Sequence, residues 1–170
     1  MTFSKIKLFF KNNFHFLQKI EKIYNFTKLS IMINYFVEIL PYLTGTATGI
    51  YGILFEDPVF VITVMTNFIV FLLTGFLKRI IKQERPNNRS LHGMPSGHCS
   101  YFFSLTTMMY YFEHYKMFLA CFILSNLIAY QRIISRNHTH KQVTAGILFG
   151  YGATFFIYKF FIVYLINVRL

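Results

Sequence analysis

Residues 59–77 have the sequence VFVITVMTNFIVFLLTGFL, a run without a single charged side chain. A stretch this long and this apolar predicts a helix that crosses a bilayer, which needs about 20 residues at 1.5 Å per residue. The preceding residues Glu56, Asp57 and Pro58 predict a turn followed by the start of that helix. The chain is therefore predicted to be an integral membrane protein.

The composition of the whole chain agrees with this prediction. Of its 170 residues 55% are apolar and only 14% are charged, which is too apolar for an ordinary soluble domain. The net charge is +11, and the basic residues gather in a few segments. This distribution favours anionic lipid headgroups or phosphates as partners and argues against nucleic acid. Cys99 and Cys121 lie in apolar runs, so they are expected to be small buried hydrophobes.

Further apolar segments follow the same pattern as residues 59–77. They cover residues 31–55, 98–112, 117–134 and 143–168, separated by polar turns. We predict an all-α fold, a polytopic membrane helical bundle with five or six spans. Residues 1–30 alternate apolar and lysine positions and are predicted to form an amphipathic basic helix at the membrane interface, while residues 31–170 form the membrane-embedded domain. In the last segment, a glycine series predicts a close helix contact: Gly146, Gly150 and Gly152.

Two polar loops, residues 78–97 and 132–142, carry most of the functional side chains. Between them lie two short apolar segments joined by the tight turn at residues 113–116. A helix across the membrane and a helix back place both loops on the same membrane side. The sequence therefore predicts one site at one membrane face.

The residues of these loops suit phosphate chemistry. A transferring phosphoryl group carries negative charge, so catalysis depends on positioning by cations and backbone N–H groups. Lys78, Arg85 and Arg132 would supply the cations, and Ser96-Gly97-His98 before an apolar helix would form an anion site. Because the loops hold few carboxylates, we predict no metal and no cofactor, and a covalent histidine nucleophile instead. His140 is expected to be structural.

Three spaced motifs resemble the type 2 phosphatidic acid phosphatase superfamily. They are Lys78-x6-Arg85-Pro86, Pro95-Ser96-Gly97-His98 and Arg132-x5-His138. The resemblance implies that His138 is the nucleophile, forming a phosphohistidine, and that His98 is the general acid. It also implies that the three cations bind the substrate phosphate, with hydrogen bonds from Ser96 and Gly97.

Two positions depart from the usual pattern of that superfamily. Gln131 stands where a Ser usually precedes the third-motif Arg, and Gln142 stands where an Asp usually orients the nucleophilic His. A Gln carbonyl can fix the tautomer of His138 but stabilises an imidazolium only weakly. Gln142, the run Gly93-Met94-Pro95-Ser96 and residues 80–86 resemble the dolichyl diphosphatase branch. The resemblance therefore implies a lipid phosphatase that hydrolyses an isoprenoid, dolichyl-type diphosphate to the monophosphate.

Alternatives remain open at this level. The substrate can instead be phosphatidate or another lipid monophosphate, or the chain can bind lipid headgroups without catalysis. The resemblance to dolichyl diphosphatases implies an endoplasmic reticulum membrane if the source is eukaryotic, with a site facing the lumen. With five spans, the lysine-rich N-terminus predicts a cytosolic site instead, whereas a sixth span would place the N-terminus and the two polar loops on opposite faces. Glu38, inside an apolar segment, is expected to be either a buried hydrogen-bonded residue or part of a headgroup path. The oligomeric state is unknown.

Overall fold

A computed structural model of the chain describes the backbone of residues 3–87 and 90–162, and the side chains of residues 27–87 and 90–160. The helices are α1 (Phe3–Leu54), α2 (Pro58–Ile81), α3 (Gly97–Tyr111), α4 (Tyr115–Ile134) and α5 (His140–Ile157), followed by a π-helical turn, Tyr158–Ile162. No strand occurs within the described stretches. The predicted all-α class is confirmed.

The chain divides into two compact units, Met1–Val37 and Glu38–Leu170. The first unit is helical where it is described, and most side chains between residues 27 and 36 are exposed. The interfacial helix predicted for residues 1–30 lies almost entirely outside the residues whose side chains are described. Its boundary with the membrane-embedded domain of residues 31–170 stays a prediction.

Three of the described helices are long and apolar enough to cross a membrane: Pro58–Ile81, Tyr115–Ile134 and His140–Phe160. Large apolar side chains such as Leu72, Phe76 and Leu127 are exposed on these helices. Exposed apolar surface of this extent is typical of contact with lipid. The second unit is therefore a membrane helical bundle, while the total of five or six spans stays a prediction.

Helix α3 lies at the centre of this bundle. Its 15 residues extend about 22 Å, less than the roughly 30 Å of a hydrocarbon core. Residues 99–109 are all buried, because α2, α4 and α5 pack around the helix. Polar side chains inside the bundle pair across helices: Thr106 with Ser125 at 2.9 Å, and Thr154 with Ser104 at 2.7 Å.

Glycines allow α5 to approach α3 closely. A Cβ atom at Gly146 would lie 2.6 Å from the Ser96 carbonyl oxygen, and one at Gly150 would lie 2.5 Å from the Ser100 carbonyl oxygen. The predicted close contact is confirmed at these two positions. At Gly152 the prediction was wrong, because a Cβ there meets nothing within 4 Å.

The helix ends differ from the predicted loop boundaries at two places. Helix α2 continues to Ile81, so Lys78 belongs to its last turn instead of the following loop. Likewise α4 continues to Ile134, which places Arg132 on the helix. Cations are stabilised in the last turn of a helix by the exposed carbonyl groups, which explains why the basic residues did not end either helix.

Candidate active site

The site residues predicted from the sequence lie at helix ends. They are Lys78 in the last turn of α2, Arg85 in the loop after it, Ser96, Gly97 and His98 at the start of α3, Arg132 in the last turn of α4, His138 in the following turn, and Gln142 in the first turn of α5. Main-chain hydrogen bonds join these ends. The Ser96 amide donates to the Gln142 carbonyl at 3.0 Å, and the His138 amide donates to the Arg132 carbonyl at 3.1 Å. The second and third motifs are therefore held together by the backbone.

His138 is fixed in one tautomer by its hydrogen bonds. The side chain is buried, and its Nδ1 atom lies 2.9 Å from the Gly93 carbonyl oxygen and 3.2 Å from Oε1 of Gln142. Both partners are acceptors, so Nδ1 carries the proton. The lone pair is then on Nε2, the nitrogen that can act as a nucleophile.

The charge state of His138 follows from its surroundings. Burial, and after it the positive charges of Arg85, Arg132 and Lys78, lower the pKa of His138 to about 3. The imidazole is therefore neutral at physiological pH, as a nucleophile must be.

Gln142 connects His138 to the loop after α2. Its Oε1 atom accepts a hydrogen bond from the Thr139 amide at 3.1 Å as well as facing His138. Its Nε2 atom donates to the Glu84 carbonyl at 2.7 Å and to Oε1 of Gln83 at 3.1 Å. The amide thus uses both ends: the oxygen orients His138 and completes the capping box of α5, and the NH₂ group binds the loop.

His98 and Arg132 form a second pair, with the opposite proton arrangement. Nη2 of Arg132 lies 3.2 Å from Nδ1 of His98. Because a guanidinium only donates, Nδ1 of His98 is the acceptor and Nε2 carries the ring proton. Glu38 from α1 contacts both residues: its Oε1 accepts from Nη2 of Arg132 at 2.5 Å, and its Oε2 is 3.5 Å from Nε2 of His98.

Several buried nitrogen atoms in this region have no hydrogen-bond acceptor among the described residues. They are Nε and Nη1 of Arg132, Nε of Arg85 and Nε2 of His98. Arg132 is only 1% exposed, and leaving buried N–H groups of a cation without partners is costly. Donors of this kind fit a ligand with several anionic oxygens, such as a phosphate.

Lys78 and Arg85 lie beside this cluster. A Cβ at Gly97 would be 3.3 Å from Nζ of Lys78, so the glycine leaves room for the ammonium group next to the start of α3. Burial first, and then the charge of Arg132, lower the pKa of Arg85. Its guanidinium still keeps its charge, because the ordinary pKa of arginine is far above neutral.

The start of α3 supplies fewer free amides than the sequence predicts. The Ser96 amide is occupied by the Gln142 carbonyl, so it is not directed at a ligand. Gly97 and His98 occupy the first two helical positions, where amides have no acceptor within the helix. These two N–H groups, together with the helix dipole, remain suited to an anion.

A cavity of about 690 Å³ opens beside the cations. Lys78, Arg85 and His98 line one part of it, together with Glu38. The remainder is lined mostly by apolar residues of α1 and α2, among them Phe71, with Thr46, Asn67 and Tyr101 as its polar members. A cavity with a cationic part and an apolar part is suited to an amphipathic anion.

Sequence reasoning missed some of the contacts. The Gly93 carbonyl and the loop groups that bind Gln142 give no sequence signal, since a backbone acceptor can belong to any residue. Glu38 did give a signal, because a carboxylate in an apolar segment marks a functional position. Among the described residues, no group of three or more His, Cys, Asp or Glu side chains could hold a metal ion. Metal independence stays a prediction.

Two comparisons with known proteins agree with the superfamily resemblance. The family model of the PAP2 superfamily matches residues 58–163. Over 97 residues the chain is 32% identical to lipid A 4'-phosphatase of Helicobacter pylori, covering 53% of this chain and 49% of that protein. The chain thus spans about half the length of the curated relative that it matches, and no solved structure matches it significantly. Since the family model covers more than half of the sequence, the chain belongs to the PAP2 superfamily.

Proposed function

We propose that this protein is an integral membrane phosphatase that removes phosphate from a membrane lipid through a phosphohistidine at His138. The observation that supports it most is the pair of complementary tautomers. His138 has its lone pair on Nε2, whereas His98 has its proton on Nε2. One ring is prepared to attack and the other to donate a hydrogen bond.

In the first step, Nε2 of His138 attacks phosphorus. A P–N bond forms while the P–O bond to the lipid breaks. The leaving oxygen takes a proton from the imidazolium form of His98. That form requires Arg132 to move from Nδ1 of His98 to a phosphate oxygen, so that Nδ1 can be protonated before the bond breaks.

In the second step, water attacks the phosphohistidine. The neutral His98 accepts a proton from this water, the P–N bond breaks, and inorganic phosphate leaves. Lys78, Arg85 and Arg132 neutralise the charge on the phosphate oxygens in both steps, assisted by hydrogen bonds from the Ser96 hydroxyl and the Gly97 amide. Gln142 holds His138 in the reactive orientation.

Two substrate classes fit this site. The relative from Helicobacter pylori bears the name lipid A 4'-phosphatase, which favours a lipid phosphate monoester. Gln142 and the Gly93-Met94-Pro95-Ser96 run favour an isoprenoid, dolichyl-type diphosphate, and phosphatidate remains a third candidate of the monoester class. A location in the endoplasmic reticulum depends on the dolichyl reading and stays a prediction.

The test is phosphate release by the purified protein in detergent. We expect hydrolysis of at least one lipid among phosphatidate, a prenyl phosphate and a prenyl diphosphate, in the presence of a chelator. With a substrate carrying ³²P in the terminal phosphate, rapid acid-free denaturation should trap labelled protein. The label should be absent from His138→Ala and should accumulate in His98→Gln if His98 also assists the second step.

Undiminished hydrolysis by His138→Ala would contradict the proposal. So would lipid binding without turnover by the unaltered protein, which would instead support the non-catalytic headgroup binder. His140→Ala is the matched control, because His140 is an exposed neighbour in the same turn. This variant should retain full activity.

A further inference from the structure

A carboxylate lies among the cations of the candidate site, although the proposed reaction gives it no role. Oε1 of Glu38 accepts a hydrogen bond from Nη2 of Arg132 at 2.5 Å, and its Oε2 is 3.5 Å from Nε2 of His98. The Glu38 side chain is 49% exposed, and it is the single acidic one among the described residues that line the cavity. A negative charge beside Arg132 opposes phosphate binding, so Glu38 contributes something other than affinity for phosphate.

The leaving group of the substrate lies close to Glu38. In the proposed reaction the leaving oxygen takes its proton from His98, so the donor nitrogen and this oxygen come within about 3 Å of each other. Because Oε2 of Glu38 is 3.5 Å from Nε2 of His98, it lies at most about 6.5 Å from the leaving oxygen. The atom attached to that oxygen therefore lies near a carboxylate.

The two substrate classes differ in the atom attached to the leaving oxygen. In a monoester it is an uncharged carbon atom, whereas in a diphosphate it is a second phosphorus that carries ionised oxygens. Both classes place the same terminal phosphate at the cations, so the second phosphate alone changes the balance of charges. Its repulsion by Glu38 acts within the Debye length of about 8 to 10 Å, so salt screens it only in part. The carboxylate therefore disfavours a diphosphate relative to a monoester.

The charge of the site agrees with this selection. Lys78, Arg85 and Arg132 bring three positive charges. Glu38 offsets one of them, which leaves a net charge of +2 beside two neutral histidines. A phosphate monoester carries a charge of about −1.5 to −2 at pH 7, so it nearly neutralises the site. A diphosphate brings more negative charge than the site compensates.

We propose that Glu38 is a specificity residue that disfavours lipid diphosphates, so that the protein acts on lipid phosphate monoesters. This inference rests on the proposed function, and it chooses between the two substrate classes that fit the site. Gln142 does not bear on this choice, because its side chain binds His138, which receives the terminal phosphate in both classes.

The experiment compares farnesyl phosphate with farnesyl diphosphate, which share one prenyl chain and differ in the second phosphate. A chelator keeps divalent cations from neutralising that phosphate. In Glu38→Gln, the ratio of kcat/KM for the monophosphate to kcat/KM for the diphosphate should fall about fivefold to twentyfold, because the repulsion is removed. The greater chemical reactivity of the anhydride cancels, since the ratio is compared between proteins.

Two variants serve as controls. Glu38→Asp keeps the charge and should keep the ratio close to that of the unaltered protein. Glu56→Gln removes an exposed acidic side chain after α1 and should leave the ratio unchanged. A loss of folded protein lowers both rates equally, and Glu38→Ala replaces the glutamine variant if the latter cannot be purified. An unchanged ratio in Glu38→Gln, or an equal fall in Glu56→Gln, would overturn the inference.

Binding to His138→Ala, which lacks the nucleophile, tests the same selection without turnover. The concentration of each lipid that gives half of the maximal rise in unfolding temperature should be lower for the monophosphate, and the reverse order would overturn the inference. If the unaltered protein hydrolyses neither lipid, the proposed function fails separately. The same binding ratio is then compared between the unaltered protein and Glu38→Gln, and an equal ratio would overturn the role of Glu38.

Discussion

The carboxylate of Glu38 accepts a hydrogen bond from Nη2 of Arg132 at 2.5 Å, although 94 positions separate the two residues in the sequence. Its second oxygen is 3.5 Å from Nε2 of His98. The two oxygen atoms of this carboxylate therefore contact the same groups that the proposed reaction assigns to phosphate oxygens. Because the Glu38 side chain is 49% exposed whereas Arg132 is 1% exposed, the carboxylate can turn into solvent once a phosphate oxygen replaces it on Arg132.

We expect Glu38→Gln to bind inorganic phosphate, the product, more tightly than the unaltered protein. Removing the negative charge ends the competition for Arg132, and the inhibition constant of phosphate should fall about threefold to tenfold. The measurement is product inhibition of lipid hydrolysis. Glu38→Asp, which keeps the charge on a shorter side chain, is the control. An unchanged or larger inhibition constant in Glu38→Gln would argue that the two anions do not compete.

Gln142→Glu should destabilise the protein even though the superfamily usually has a carboxylate at this position. The NH₂ group of Gln142 donates to the Glu84 carbonyl and to Oε1 of Gln83, and a carboxylate would bring an acceptor against these acceptors. We expect a loss of about 1–3 kcal/mol in unfolding free energy, seen as a lower unfolding temperature in detergent. Lys141→Gln, at the exposed neighbouring position, should have little effect. If Gln142→Glu is as stable as the unaltered protein, this explanation of why Gln replaces the usual Asp is refuted.

Gly146→Ala and Gly150→Ala should each impair folding and activity. The added methyl group would lie 2.6 Å or 2.5 Å from a carbonyl oxygen of α3, so the two helices must separate. Gly152→Ala is the control from the same helix, because its methyl group meets nothing within 4 Å and alanine favours helix. Yields and unfolding temperatures of the three variants in detergent measure the effect. A Gly152→Ala protein as unstable as the other two would contradict the assigned contact.

His138 should make stability dependent on pH. Its pKa is about 3 in the folded protein because of burial and the nearby cations, against about 6.5 in an unfolded chain. Between these values the unfolded chain binds a proton that the folded protein does not, so stability falls as the pH falls from about 6.5. Above about pH 6.5 the ring is neutral in both states, so its titration no longer lowers the stability. The unfolding temperature of His138→Gln should therefore decline less between pH 7 and pH 5 than that of the unaltered protein. Equal declines in the two proteins would contradict a low pKa of His138.

The sequence alone was sufficient to predict a helical bundle, because the signals for membrane helices are local. The apolar run of residues 59–77 and the helix start at Asp57 and Pro58 depend only on neighbouring residues, and Asp57 does cap α2 through the Val59 amide. The sequence also placed most of the candidate site residues in two polar loops, 78–97 and 132–142. The exact helix ends were missed at Lys78 and Arg132, because a basic residue is compatible with both a loop and a last helical turn.

The contacts that complete the site could not be predicted, because they join residues distant in sequence. Nothing near Glu38 indicates that it would meet Arg132 and His98. The Gly93 carbonyl that fixes the tautomer of His138 belongs to a loop without regular structure, where the path of the backbone depends on the whole fold. The types of functional side chain could be predicted from the sequence, whereas the backbone groups that hydrogen-bond to them could not.

The hydrogen bond from the Ser96 amide to the Gln142 carbonyl ties the beginnings of α3 and α5 without using a side chain. The spacing between His98 and His138 is therefore set in part by a main-chain bond, which does not depend on the side chains of Ser96 and Gln142. Substitutions among the apolar residues of α1 and α2 that line the cavity can change its walls while this main-chain bond stays in place. Such an arrangement would let the same fold accept different ligands through changes in the cavity walls alone.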